Sequence, residues 1–138
     1  MRVSLDYPGI AEAIAEGRVT GLAKGTPPPK RSKHGNTKVV IDGQTFDSKK
    51  EAARYVLLQQ LVSVGGIFDL KTQVPFRLEV NGKLICKYIA DFVYMGPAVG
   101  GPKLLVEDVK SAWTRKLPVY RIKLKLMKAI HDITIQEV

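Results

Sequence analysis

The stretch KYIADFVYMGPAVGGPKLLVEDVKS, residues 87–111, decides the architecture. It contains two apolar runs of strand character, YIADFVYM and KLLVEDVK, joined by a loop rich in glycine and proline. Each run is interrupted by an acid. Asp is depleted in strands, so Asp91 inside the first run and Asp108 directly after LLV in the second both call for a partner. A period of two puts Lys87, Ile89, Asp91 and Val93 on one face of the first strand and Tyr88, Ala90, Phe92 and Tyr94 on the other. On the second strand Val106, Asp108 and Lys110 share a face while Glu107 points the opposite way. Strand rise separates Asp108 from Lys110 by about 7 Å.

Working outward, the stretch from Ile67 to Met95 reads as two or three strands, with Asn81-Gly82 as a type I′ hairpin turn signal. Upstream, KVVIDGQTFDS reads as a small hairpin turning at Asp42-Gly43. A helix follows it, with Ser48 as N-cap, Ala52, Tyr55, Val56, Leu58 and Leu61 as its apolar face, and Gly65-Gly66 as its stop. Downstream, Pro118 opens a helix with Val119, Ile122, Leu126 and Ile130 on its apolar side, and DITIQEV closes as a short strand. This order predicts an α/β fold, a mixed β-sheet flanked by helices. Residues 1–37 are expected to form a short helix over 10–17 and then a basic arm rich in Pro and Gly; residues 38–138 form the main domain.

The chain of 138 residues has 45% hydrophobic and 25% charged residues, the balance of a globular domain that can bury a core without disulfides. Its single cysteine, Cys86, has no partner thiol and reads as a small strand residue in a reducing, cytoplasmic setting. No apolar run approaches the ~20 residues needed to span a bilayer. The formal charge of +9 makes a polyanion the first partner to consider. The bases are clustered: residues 110–128 carry Lys110, Arg115, Lys116, Arg121, Lys123, Lys125 and Lys128 without an acid, and residues 24–38 carry Lys24, Lys30, Arg31, Lys33 and Lys38 likewise. Neither run is a long amphipathic helix with Trp or Phe on its opposite face, which favours nucleic acid over a membrane surface.

Two carboxylates beside an ammonium suit phosphodiester hydrolysis. The carboxylates hold a hard divalent ion that polarises the phosphoryl group and acidifies a bound water, and the lysine positions that water or neutralises developing charge. YIADF, followed by VEDVK, resembles the signature of the PD-(D/E)XK nuclease superfamily. FDSKKEAARY, QVPF, YIADFVY, VEDVKS and YRIKLKLM, in that order, further resemble a family of small phage-encoded proteins of that fold, related to Holliday-junction resolving endonucleases. The resemblance covers residues 34–138 and implies a restriction-endonuclease-like core. It implies Asp91 and Asp108 as ligands of Mg²⁺, with Mn²⁺ able to substitute, the Val109 carbonyl completing the shell, and Lys110 as the catalytic lysine. Glu51 stands where the phage resolving enzymes add an acid from an early helix. Ala90 replaces the proline of the motif's name.

Alternatives stay open at three positions. Glu107 offers a rival E-x-x-K register, disfavoured by strand parity. Ser48-x-x-Glu51 is also a capping box, in which Glu51 would serve the helix end. Gln73 either touches metal-bound water or is an ordinary strand residue. Trp113 reads as a packing or dimer-contact residue in preference to a wedge in DNA. The expected function is a metal-dependent endonuclease on branched DNA, acting as a homodimer because opposed cuts need two sites. Its rivals are a nicking or restriction-like nuclease on plain duplex and a non-catalytic DNA-binding recombination accessory.

Overall fold

The computed structural model describes residues 19–21 and 37–138, and the chain divides into two compact units, Met1–Leu61 and Val62–Val138. In the first, β1 (Val19–Gly21), β2 (Val39–Ile41) and β3 (Gln44–Phe46) form an antiparallel sheet in that order. The β2–β3 turn places Asp42 at φ 51° and Gly43 at φ 79°, the two positive values that a type I′ turn requires. Helix α1 (Lys49–Ser63) starts where Ser48 Oγ accepts the Glu51 N–H at 3.1 Å. Val39, Ile41, Phe46, Ala52, Tyr55, Val56 and Leu58 are buried in this unit, and the Phe46 and Tyr55 rings lie 4.8 Å apart. Strand β1 carries no sequence signal strong enough to predict it, and its Gly21 reads instead as the start of the basic arm. The helix expected at 10–17 and the arm from 22 to 36, with Lys30, Arg31 and Lys33, fall outside the described residues.

The second unit is built on a mixed four-stranded sheet, β4 (Phe68–Val80), β5 (Lys83–Gly96), β6 (Lys103–Asp108) and β7 (Gln136–Glu137), in that order. β4, β5 and β6 run antiparallel, whereas β7 lies parallel to β6. A parallel neighbour needs a crossover, supplied by a 3₁₀ turn (Thr114–Lys116) and helix α2 (Pro118–His131). Asn81 (φ 51°) and Gly82 (φ 76°) make the tight β4–β5 turn. Pro75 interrupts β4 without penalty because β4 is an edge strand, where a missing N–H leaves no ladder bond unmade.

Leu78, Tyr88, Ala90, Val93 and Val106 from the sheet pack with Tyr120 and Met127 of α2 into one buried cluster, with Cys86 half-buried at its border. Two expectations need correcting. Val93 belongs to the same cluster as Tyr88 and Ala90, which lie five and three residues before it; strict alternation would place it on the opposite face. The alternation of β5 therefore slips by one residue between Ala90 and Val93. Across the strand pair at that point stands Gln73, bent to φ 51° between the registered pairs Thr72↔Phe92 and Val74↔Ala90. For α2, Tyr120 and Met127 are buried in the cluster, Leu124 and the expected Leu126 and Ile130 pack half-buried against it, and the expected Val119 and Ile122 are 67% and 56% exposed. The expected face therefore holds in the second half of the helix, and in its first turn Tyr120 turns inward in place of Val119 and Ile122.

Leu78 is fully buried at the centre of the cluster. Leu78→Ala is expected to destabilise the protein by about 2–5 kcal/mol, measured by urea denaturation, through forfeited transfer energy and the cavity left behind.

Candidate active site

The register Phe92↔Glu107 places Asp91 and Asp108 opposite each other one step further along β5 and β6. Both acids are buried, Asp108 completely. A carboxylate stripped of water must be compensated by neighbouring dipoles and charges. Asp108 Oδ2 accepts a hydrogen bond from the Tyr88 hydroxyl at 2.7 Å, and Oδ1 lies 2.9 Å from Lys110 Nζ. Asp91 Oδ2 accepts the Val109 N–H at 2.8 Å, and its Oδ1 takes a longer bond, 3.4 Å, from Gln73 Nε2. The expected triad Asp91, Asp108 and Lys110 is thus one cluster, and Gln73 belongs to it.

The backbone beneath these side chains is pinned by the last residues of the sequence. The Val138 N–H donates to the Asp108 carbonyl at 3.0 Å, and the Lys110 N–H donates to the Val138 carbonyl at 3.4 Å. Lys110 leaves the strand at its C-terminal end, with its Nζ 5.7 Å from the centroid of the Tyr120 ring, a cation–π contact. The Tyr120 hydroxyl is itself buried with no hydrogen-bond partner among the described residues, a polar group near Asp108 of the kind that functional sites retain.

Burial, reinforced by the Asp108 charge and the hydrogen bond to it, raises the Tyr88 hydroxyl far above the ordinary phenol range. Tyr120 is raised in the same direction, by burial first and then by the charge of Asp108. Both remain protonated wherever the protein is folded near neutrality, so Tyr88 is a fixed donor to Asp108. Sequence reasoning misses Tyr88 as a site residue: alternation puts it on the face away from Asp91, and only the slip in β5 brings it to Asp108.

Glu107 is buried on the opposite face, 1% exposed, and accepts a hydrogen bond from the Tyr94 hydroxyl. Lys110 pairs with Asp108 on the other face. Glu51 belongs to the other unit; it is buried there, and its N–H is capped by Ser48. Among the described residues, no group of three or more His, Cys, Asp and Glu side chains is gathered as a metal site.

Of the basic residues, Lys116, Arg121 and Lys125 are exposed, and Lys123 is half-buried. Arg115 pairs with Glu137 at 3.2 Å. Lys128 pairs with Asp132 at 2.6 Å, and that hydrogen bond holds the Asp132 carboxyl below its usual range. His131 Nε2 lies 2.9 Å from the Arg77 carbonyl, and its ring packs near Phe76, a structural role.

The model of the family described as "Protein of unknown function (DUF1064)" matches residues 31–135, and the chain belongs to that family. No curated protein and no solved structure matches it significantly.

The Tyr88–Asp108 bond carries a pH prediction. Because the folded pKa of Tyr88 lies above the unfolded one, its stabilising contribution is fully present below pH ~10 and is lost as pH rises beyond that value. Tyr88→Phe is expected to cost about 1.5–3 kcal/mol at pH 7 and to make the loss of stability between pH ~9 and ~11 shallower. Urea denaturation across that range measures both effects; an unchanged alkaline slope would refute the assignment.

Proposed function

We propose that this DUF1064 protein is a divalent-metal-dependent endonuclease of the PD-(D/E)XK type acting on DNA, with Asp91, Asp108 and Lys110 at its centre. The observation that carries the reading is the burial of two opposed carboxylates with an ammonium on one of them, at the end of a strand pair. Burying such a cluster is costly, and hydrophobic residues would stabilise the same place at least as well. The order helix, three antiparallel strands, helix, and a last strand parallel to the third supports a restriction-endonuclease-like core.

The donor set fits Mg²⁺ or Mn²⁺. Asp91 and Asp108 supply hard oxygen ligands, and the Val109 peptide, whose N–H already bonds Asp91, is adjacent to supply its carbonyl. When bound, the ion would supply Lewis-acid polarisation of the phosphodiester and a more acidic water. The chain's own residues do the rest. Tyr88 fixes the rotation of Asp108, and Gln73 and the Val109 N–H fix that of Asp91. Lys110, held between Asp108 and the Tyr120 ring, is the cation available to orient the attacking water. It also neutralises charge that builds on the non-bridging oxygens as the P–O bond to the leaving group breaks.

The excess of bases on the segment after the catalytic strand supports sequence-independent contact with phosphates. Branched DNA is the substrate class proposed, on the family resemblance, with a homodimer supplying the two opposed cuts.

Asp91→Asn and Lys110→Ala are each expected to lower Mg²⁺-dependent cleavage by at least about 100-fold while DNA binding persists. The assay follows cleavage of labelled four-way-junction, flap and linear duplex substrates with and without Mg²⁺. Undiminished cutting by either variant would sink the assignment. Binding without any metal-dependent cutting by the parent protein would make it a DNA-binding accessory. Replacing Arg121 and Lys125 by Gln should reduce the salt slope of log K by about one unit for each phosphate that is no longer neutralised.

A further inference from the structure

Two tyrosines stand near Asp108, and the fold uses the hydroxyl of one. Tyr88 commits its O–H to Asp108 Oδ2 at 2.7 Å. Tyr120 is only 8% exposed, yet its hydroxyl has no hydrogen-bond partner among the described residues. A phenol buried in this way gives up water and gains nothing in exchange. Phenylalanine would fill the same place in the cluster without that cost, so the oxygen calls for a role outside the resting fold.

Its surroundings indicate what it could meet. Tyr120 is the third residue of α2, where side chains lean toward the helix N-terminus. The first turn of α2 holds no acid, and its N-cap, Leu117, offers no side-chain bond, so the positive end of the helix is not offset by a side chain of its own. The Lys110 ammonium lies 5.7 Å from the centre of the Tyr120 ring and 2.9 Å from Asp108 Oδ1. That carboxylate oxygen, like the Tyr120 hydroxyl, is buried without an aligned hydrogen bond. The charges of Asp108, Glu137, Arg115 and Asp91 all reach the phenol, which puts it at the end of the sheet where β5, β6 and β7 bring their ionic groups together. Burial first, and then the Asp108 charge, keep it protonated near neutrality, so it has a proton to donate. An acceptor drawn to a phenol, an ammonium and an uncapped helix N-terminus at once is an anionic oxygen.

We infer that Tyr120 is a further substrate-binding residue: its hydroxyl donates a hydrogen bond to a non-bridging oxygen of the phosphodiester that Lys110 holds. The Lys110 side chain is 26% exposed, so an incoming phosphate meets the ammonium first. As the ammonium turns from Asp108 toward the phosphate, the phenol beside it gains the acceptor it lacks in the resting protein. Tyr88 and Tyr120 thereby divide the work, one orienting the acid and the other receiving the substrate. This rests on the nuclease reading for the identity of the ligand, and binding is measured apart from cutting so that the two can fail separately.

Tyr120→Phe removes the oxygen and keeps the ring, its packing and its contact with Lys110. The full chain is studied without Mg²⁺, by urea denaturation and by anisotropy of a labelled linear duplex and a labelled four-way junction. The expected urea midpoint is unchanged or raised, in contrast to the fall expected for Tyr88→Phe. Affinity for both DNAs is expected to drop about 10-fold or more, the loss of one hydrogen bond to a charged group. A fall in the midpoint like that of Tyr88→Phe overturns the inference, since the hydroxyl would then serve the fold. Unchanged affinity also overturns it, whatever happens to cleavage. A parent chain that binds neither DNA overturns both readings. Weakened binding at undiminished stability, in a protein that never cuts when Mg²⁺ is added, leaves the role of Tyr120 standing and removes the nuclease reading.

Discussion

Asp108 ends a strand with no part of its side chain exposed to water, and much of the second unit is arranged around that fact. A bare carboxylate in such a place would cost several kcal/mol. It is compensated from two sides, by a neutral phenol on one oxygen and an ammonium on the other. The phenol comes from β5, the ammonium from the residue two places on, and the backbone holding both is locked by the hydrogen bonds to Val138, just past β7. The crossover helix supplies the Tyr120 ring against the ammonium. Sheet order, helix placement and the parallel last strand therefore converge on one oxygen-lined point.

The slip in β5 gives this convergence its geometry. A regular strand would send Tyr88 and Asp91 to opposite faces, and the acid pair would keep its charge without its neutral donor. Bending Gln73 into positive φ on the partner strand keeps the register on both sides while the faces exchange. Positive φ at a non-glycine residue is uncommon and costs energy, and such residues concentrate at functional sites. Here the bent residue also touches the acid it faces, so the strain and the contact have the same location.

Much of this is legible in the sequence because it depends on local rules. Asp91 and Asp108 stand out as acids in apolar runs, and parity puts Glu107 on the face away from Asp108 and Lys110. The Asn81-Gly82 and Asp42-Gly43 turns and the Ser48 cap follow from backbone chemistry. The failures come where two local patterns are equally good. Helix α2 meets the core through Leu126 and Ile130 of the expected face, but apolar residues at 119, 120 and 122 leave the orientation of its first turn open to periodicity alone, and there Tyr120 is the one that turns inward. Tyr88 escapes because its role depends on a defect in the alternation from which faces are assigned. β1 escapes because three residues with a terminal glycine carry little strand signal of their own.

Pro75 has a further consequence at the level of assembly. An uncovered sheet edge is a template on which another chain can add a strand, and among the described residues β4, thirteen residues long, pairs on one side only. A ring nitrogen in the middle of that edge denies an incoming strand one of its bonds and breaks the run of matching groups into two short segments. The edge is thereby poorly suited to fibrous growth, and copies of this protein that associate are steered toward meeting through side-chain surfaces.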